Sequence, residues 1–83
     1  MGRNDLDRAL ALLESGDWQA AHEIVQEHED DRTASWIHAV VHRMEGDLDN
    51  ARYWYRRCGR EPGEALSFEA ELRQIQASLD ARG

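Results

Sequence analysis

Apolar residues recur along this chain at the spacing of an α-helix. Leu6, Ala9, Leu10 and Leu13 stand at i, i+3, i+4 and i+7, which puts them on one helical face. They predict a first helix from about Asp5 to Ser15, with Asn4 or Asp5 as its cap and Gly16 as its stop. Asp17 is placed to cap a second helix, Trp18 to about His28, with Ala21, Ile24, Val25 and His28 facing inward. The acidic run Glu29-Asp30-Asp31 is the connection that follows. Its negative charge favours the next helix start and opposes the preceding helix end. A third helix is expected over roughly Thr33 to Glu45, carrying Ile37, Val40, Val41 and Met44. Gly46 stops it, and Asp47 caps a fourth from Leu48 to about Cys58. Gly59 and Pro62-Gly63 break the chain again. A last helix lies within Glu64 to Ala81, where Leu66 is followed by a stripe of Phe68, Leu72, Ile75 and Leu79.

The chain also repeats itself. Gly16-Asp17-Trp18-Gln19-Ala20-Ala21-His22 returns as Gly46-Asp47-Leu48-Asp49-Asn50-Ala51-Arg52, a period of 30 residues. Each copy is a helix stop joined to a helix start. The expected fold class is therefore all-α: two stacked antiparallel helical hairpins plus a C-terminal capping helix. Residues 1–83 form a single domain, with one repeat over about 5–30, a second over about 33–60, and the cap over about 64–81.

These residues carry a resemblance. Gly46-Asp47-x-x-x-Ala51-x-x-Trp54-Tyr55-x-x-Cys58, with Pro62 beyond it, resembles the second half of a tetratricopeptide (TPR) repeat, and Ala39 matches the small residue of that repeat's first helix. Ala9 and Ala21 take the same parts around Gly16. The period of 30 is shorter than the usual 34 of that family. His38 and His42 also stand where TPR helices carry large apolar or aromatic residues. The string Trp36-x-His38-Ala39-x-x-His42-Arg43-x-Glu45-Gly46-Asp47-x-x-Asn50-Ala51-x-Tyr53-Trp54-Tyr55-Arg56-Arg57 is similar as well to a small family of bacterial and fungal proteins. That likeness implies a fold and no mechanism.

Composition narrows the function classes. A chain of 83 residues buries only roughly 60–65% of the surface its unfolded form exposes, so a deep substrate cavity is not expected. The net charge of −7 argues against general binding to nucleic acid or to an anionic membrane, since both rely on surplus basic charge. Every basic residue is Arg, and the absence of Lys excludes Schiff-base and P-loop lysine chemistry. Cys58 is the single cysteine and has no partner for an internal disulfide. No run resembles a signal peptide or membrane span, so a cytoplasmic location is expected.

Four groups of residues invite chemistry. His38 and His42 lie four apart on one helical face, and His22, counted back along the antiparallel partner, falls level with residues 38–39. Three imidazoles with one open position are how catalytic zinc is held, so His22, His38 and His42 form a candidate zinc site. The zinc-protease signature is absent, because Ala39 follows His38 where that signature needs Glu. Hydrogen-bonding histidines that fix the hairpin, with Glu45, Ser35 or the Arg and Tyr side chains of the next helix as partners, are the simpler expectation. Arg52, Arg56 and Arg60 line one outer stripe with Tyr53 alongside, and Asn50, Trp54 and Arg57 line another. Aromatics among arginines can stack on bases, but the overall charge favours a solvated face or a dock for an acidic protein. Asp17 and Asp47 are explained as caps, and Cys58 as core.

The function expected from sequence is a small, non-enzymatic TPR-like protein-interaction module. Its partner would be a protein or peptide in the groove between the first helices of the two hairpins, or a second copy in a homodimer. His38, His42, Arg43, Asn50, Trp54 and Arg57 are the expected partner-binding residues, since plain leucines would suffice for packing at such positions. The alternative is a metal- or small-ligand-binding helical protein, an enzyme included, built on His22, His38 and His42.

Overall fold

The computed structural model describes residues 2–60 and 67–81, and all the regular secondary structure in that range is helical. The helices are α1 (Gly2–Glu14), α2 (Trp18–Val25, followed by a 3-10 turn over Gln26–His28), α3 (Arg32–Glu45), α4 (Leu48–Arg57) and α5 (Phe68–Ala81). The expected break at Pro62-Gly63, and Leu66, lie outside the described residues.

Both Gly-Asp steps act as the residue types dictate. Gly16 and Gly46 hold φ of +86° and +90°, a left-handed conformation that opposes any side chain. At the second step the Gly46 amide donates to the Arg43 carbonyl and the Asp47 amide to the His42 carbonyl, at 3.1 and 2.9 Å. This satisfies carbonyls that the helix end leaves open. The first step repeats the pattern on Leu13 and Leu12. Asp17 then accepts from the Ala20 amide and Asp47 from the Asn50 amide. Asp31 caps α3 by accepting from the amides of Thr33 and Ala34.

Two helix ends differ from expectation. Helix α1 starts at Gly2, so Asn4 and Asp5 lie inside it rather than capping it. Asp5 instead meets His28 at 3.0 Å, tying the start of α1 to the far end of the second helix. The second helix tightens to 3-10 geometry at Gln26 before the Glu29-Asp30-Asp31 connection, a common way for a last turn to close.

Helix α3 is the axis of the molecule. It packs against α1, α2, α4 and α5, while α1 also packs on α2 and α5. All ten residues from Thr33 to His42 are buried in consequence. Apolar residues explain only part of that stretch. Ala34, Ile37, Ala39, Val40 and Val41 join the core with Leu6, Leu10, Leu13, Tyr55, Ile75 and Leu79. Ser35, Trp36, His38 and His42 carry polar atoms into the same helix, and a buried polar atom requires a partner.

Those partners come from neighbouring elements. Ser35 donates to the Glu29 carbonyl. The Trp36 indole donates to Glu71 of α5 at 2.9 Å, and the same carboxylate accepts from the Tyr55 hydroxyl of α4 at 2.6 Å and from Arg43. Glu71 is 2% exposed, so this carboxylate joins three helices from inside the core. Burial, with the Glu71 carboxylate second, pushes the Tyr55 hydroxyl well above its ordinary range and keeps it protonated as a donor.

The face shared by α1 and α3 is covered by α5. Arg43, expected on a partner-binding groove, is instead bonded to Glu71 and stacked over Phe68 at 4.6 Å. Leu72, Ile75 and Leu79 are buried as the stripe predicts, while Phe68 is 38% exposed. No helix among the described residues is long and apolar enough to cross a membrane.

Candidate metal site at the α2–α3 seam

His22 projects from α2, and His38 and His42 project from α3 one turn apart. Packing of α2 on α3 brings the three rings together. Ring centroids lie 4.7 Å apart for His22 and His38, 5.2 Å for His22 and His42, and 5.0 Å for His38 and His42. One ligand nitrogen from each falls within 4.8 Å of the other two. His38 and His42 are buried at 3% and 7% exposure. His22 is half-buried, and forms the solvent side of the cluster.

The closest pair is Nε2 of His22 and Nε2 of His38, 3.0 Å apart. Two neutral imidazoles in this arrangement share one proton, one ring donating to the other. The separation is also near the edge of a tetrahedral zinc site. Zn–N bonds of about 2.0–2.1 Å imply ligand nitrogens roughly 3.3 Å apart. Nδ1, the other nitrogen of the His38 ring, is buried without a hydrogen-bond partner among the described residues.

The electrostatics favour the neutral form, the one that ligates metal, at His38 and His22. Burial, the neighbouring His22 and His42, and Arg57 together lower the His38 pKa to about 3. Burial also lowers His22, helped by His42 and opposed by Glu45 and Glu23. His42 donates or accepts at Nδ1 with the Glu45 carboxylate, 2.5 Å away. An ionised carboxylate only accepts, so Nδ1 carries a proton, and in the neutral ring Nε2 is then the nitrogen with the lone pair.

A wall of stacked groups closes the α4 side. The Trp54 indole lies on His38 with centroids 3.8 Å apart and planes 11° from parallel. Arg57 sits over Trp54 at 5.1 Å and donates to the Tyr53 hydroxyl and the Glu29 carbonyl. Asp47 is occupied by Asn50, whose side-chain amide donates to it at 2.6 Å and whose backbone amide donates at 3.3 Å. A second group of nearby donors, His42, Glu45 and Asp47, thus shares His42 with the first.

Of the six residues expected to bind a partner, the structure gathers His38, His42, Trp54 and Arg57 around the α2–α3–α4 contact. Asn50 serves the α4 cap, and Arg43 lies with Glu71 toward α5. The donor set fits a late first-row divalent cation. Imidazole nitrogens suit zinc, copper and nickel, whereas magnesium and calcium demand oxygen. Glu71 was not among the expected functional groups, although its position has a signal: it lies on the Leu72–Ile75–Leu79 stripe, four residues before Ile75. An acid on such a stripe implies buried donors facing it. Searches against known protein families, curated proteins and solved structures return no match for this chain.

Proposed function

We propose that this protein binds a divalent transition-metal ion of the zinc class through His22, His38 and His42. The observation that carries the proposal is the convergence of one ligand nitrogen from each ring to within 4.8 Å. The lowered pKa values of His38 and His22 and an Nε2–Nε2 edge of 3.0 Å support it. Three protein ligands leave a fourth position for water or an external donor on the His22 side. A bound cation would link α2 to α3, so occupancy would add directly to folding stability.

The test is metal content and melting temperature of the purified protein. One zinc per chain is expected, with stabilisation of about 2.7 kcal/mol when free zinc is 100 times the dissociation constant. For a chain of this size that is a rise of roughly 10–20 °C, at about 4–8 °C per kcal/mol. His42→Ala is expected to abolish the rise. A wild-type protein that takes up no zinc and does not shift would sink the proposal.

A second reading, a TPR-like interaction module, is supported by the packing order: α1 on α2, α2 on α3, α3 on α4, and α1 on α3. Because α5 covers the α1–α3 face, a partner would dock elsewhere. Leu48 and Tyr53 on α4 are 46% and 45% exposed, and a second copy covering them would form a homodimer. Light scattering after size exclusion decides this, since a monomer at high concentration removes the homodimer.

A further inference from the structure

We propose that Glu45 is a positioning residue of the metal site, holding His42 in the tautomer that presents Nε2 to the cation; this rests on the three-histidine reading above. Four features of the α3 C-terminus carry the argument. Glu45 follows His42 by three residues on the same helix, and its carboxylate contacts Nδ1. That contact is the outer half of a carboxylate–histidine–metal arrangement, in which a second acceptor fixes the ring and raises its basicity.

The position is otherwise unfavourable. Glu45 is the last residue of α3, directly before the left-handed Gly46, where the helix dipole disfavours negative charge. A nearby donor or cation offsets that cost. Arg43 is drawn to Glu71, and Arg57 reaches Tyr53 and Glu29. The Nδ1–H of His42 is the donor facing Glu45, and a metal on the ring's other nitrogen would strengthen that bond.

Asp47 completes the contrast. Its two oxygens are engaged by the backbone and side-chain amides of Asn50, which keeps it as a helix cap. Among the described residues Glu45 meets no such competing amide and contacts His42 directly. The proposed site therefore has three ring nitrogens facing the cation and one carboxylate behind them. The single negative charge offsets half of a divalent ion without entering its coordination sphere.

The experiment uses full-length protein and zinc, with nitrogen-15 NMR of the histidine rings in the metal-free state at neutral pH. In the wild type His42 is expected as the Nδ1–H tautomer, and zinc is expected to shift its Nε2 signal. Glu45→Ala is expected to weaken zinc binding roughly 10–100-fold and to release the tautomer preference. Glu45→Gln, whose amide oxygen still accepts from Nδ1, is expected to stay within about threefold of the wild type. Glu45 has a partly exposed side chain, so both variants are expected to fold, and their metal-free melting temperatures check this. Zinc bound equally well by wild type and Glu45→Ala, with His42 in an unchanged tautomer, overturns the role of Glu45 and leaves the three-histidine site standing. Zinc bound by none of the proteins overturns both.

Discussion

Replacing Glu71 by Ala is expected to remove a large part of the stability of this protein. At 2% exposure the carboxylate accepts from the Trp36 indole, the Tyr55 hydroxyl and the Arg43 guanidinium. The Arg43 side chain is itself only 11% exposed. Deleting one member of a buried ion pair costs about 3–5 kcal/mol, because the other charge remains buried and uncompensated. An unsatisfied indole or hydroxyl adds about 1–3 kcal/mol, reduced wherever water enters the space left by the side chain. A domain of this length has a total stability of roughly 4–12 kcal/mol at 0.05–0.15 kcal/mol per residue. The sum, about 4–8 kcal/mol before any such reduction, therefore decides whether the variant stays folded at all. Urea unfolding followed by tryptophan fluorescence measures it, and Trp36 reports directly because its indole loses a partner. Glu71→Leu combined with Arg43→Met is expected to recover most of the loss, since replacing both partners by apolar groups leaves no orphaned charge. A Glu71→Ala variant that loses less than about 1 kcal/mol refutes the account of a buried carboxylate joining α3, α4 and α5.

Two further outcomes follow from the same packing. His38 has a folded-state pKa of about 3 against an ordinary value near 6.5, so between these values the unfolded chain binds a proton that the folded protein refuses. Stability must fall as pH drops through this window, by up to about 1.4 kcal/mol per pH unit from this residue. His38→Leu should flatten the difference between urea midpoints at pH 7 and pH 4.5, and an unchanged pH slope in that variant counts against a neutral buried ring. Asp31 accepts from two α3 amides, so Asp31→Ala is expected to lower stability by about 1 kcal/mol and Asp31→Asn by much less; equal losses in the two would show that capping is not its role.

The helices were legible because their signals are local. Apolar spacing marks the faces, and the Gly-Asp steps mark the ends by a backbone preference that needs no tertiary information. The misread start of α1 has the same cause. Asn4 and Asp5 are good capping types, but a pairing with His28, 23 residues away, takes Asp5 into the helix. Glu71 shows the complementary limit. Its stripe position is visible in the sequence, but the indole, hydroxyl and guanidinium that donate to it come from two other helices. Arg43 looks like a spare polar group on a helical wheel for the same reason, and it is bonded to Glu71 of α5; Asn50 is exposed and bonds to Asp47 at the α4 cap.

The histidine cluster falls between these cases, and the two halves of the chain explain it. Arg8 and Leu12 hold the places in α1 that His38 and His42 hold in α3, 30 residues later. Arg8 is exposed and Leu12 half-buried, whereas His38 and His42 are buried. The difference is one of neighbours: α3 has α2 packed against that face, and the register of α2 puts His22 opposite. A repeat that merely needed packing there would be served by leucine, which buries apolar area and leaves no polar atom to satisfy. The chain instead places three imidazoles where α2 meets α3, and backs one ring with Trp54 and another with Glu45. Leucines would hold the two helices together at least as well, so what the imidazoles add at this seam is three ring nitrogens within reach of one another, which is what the proposed cation site requires.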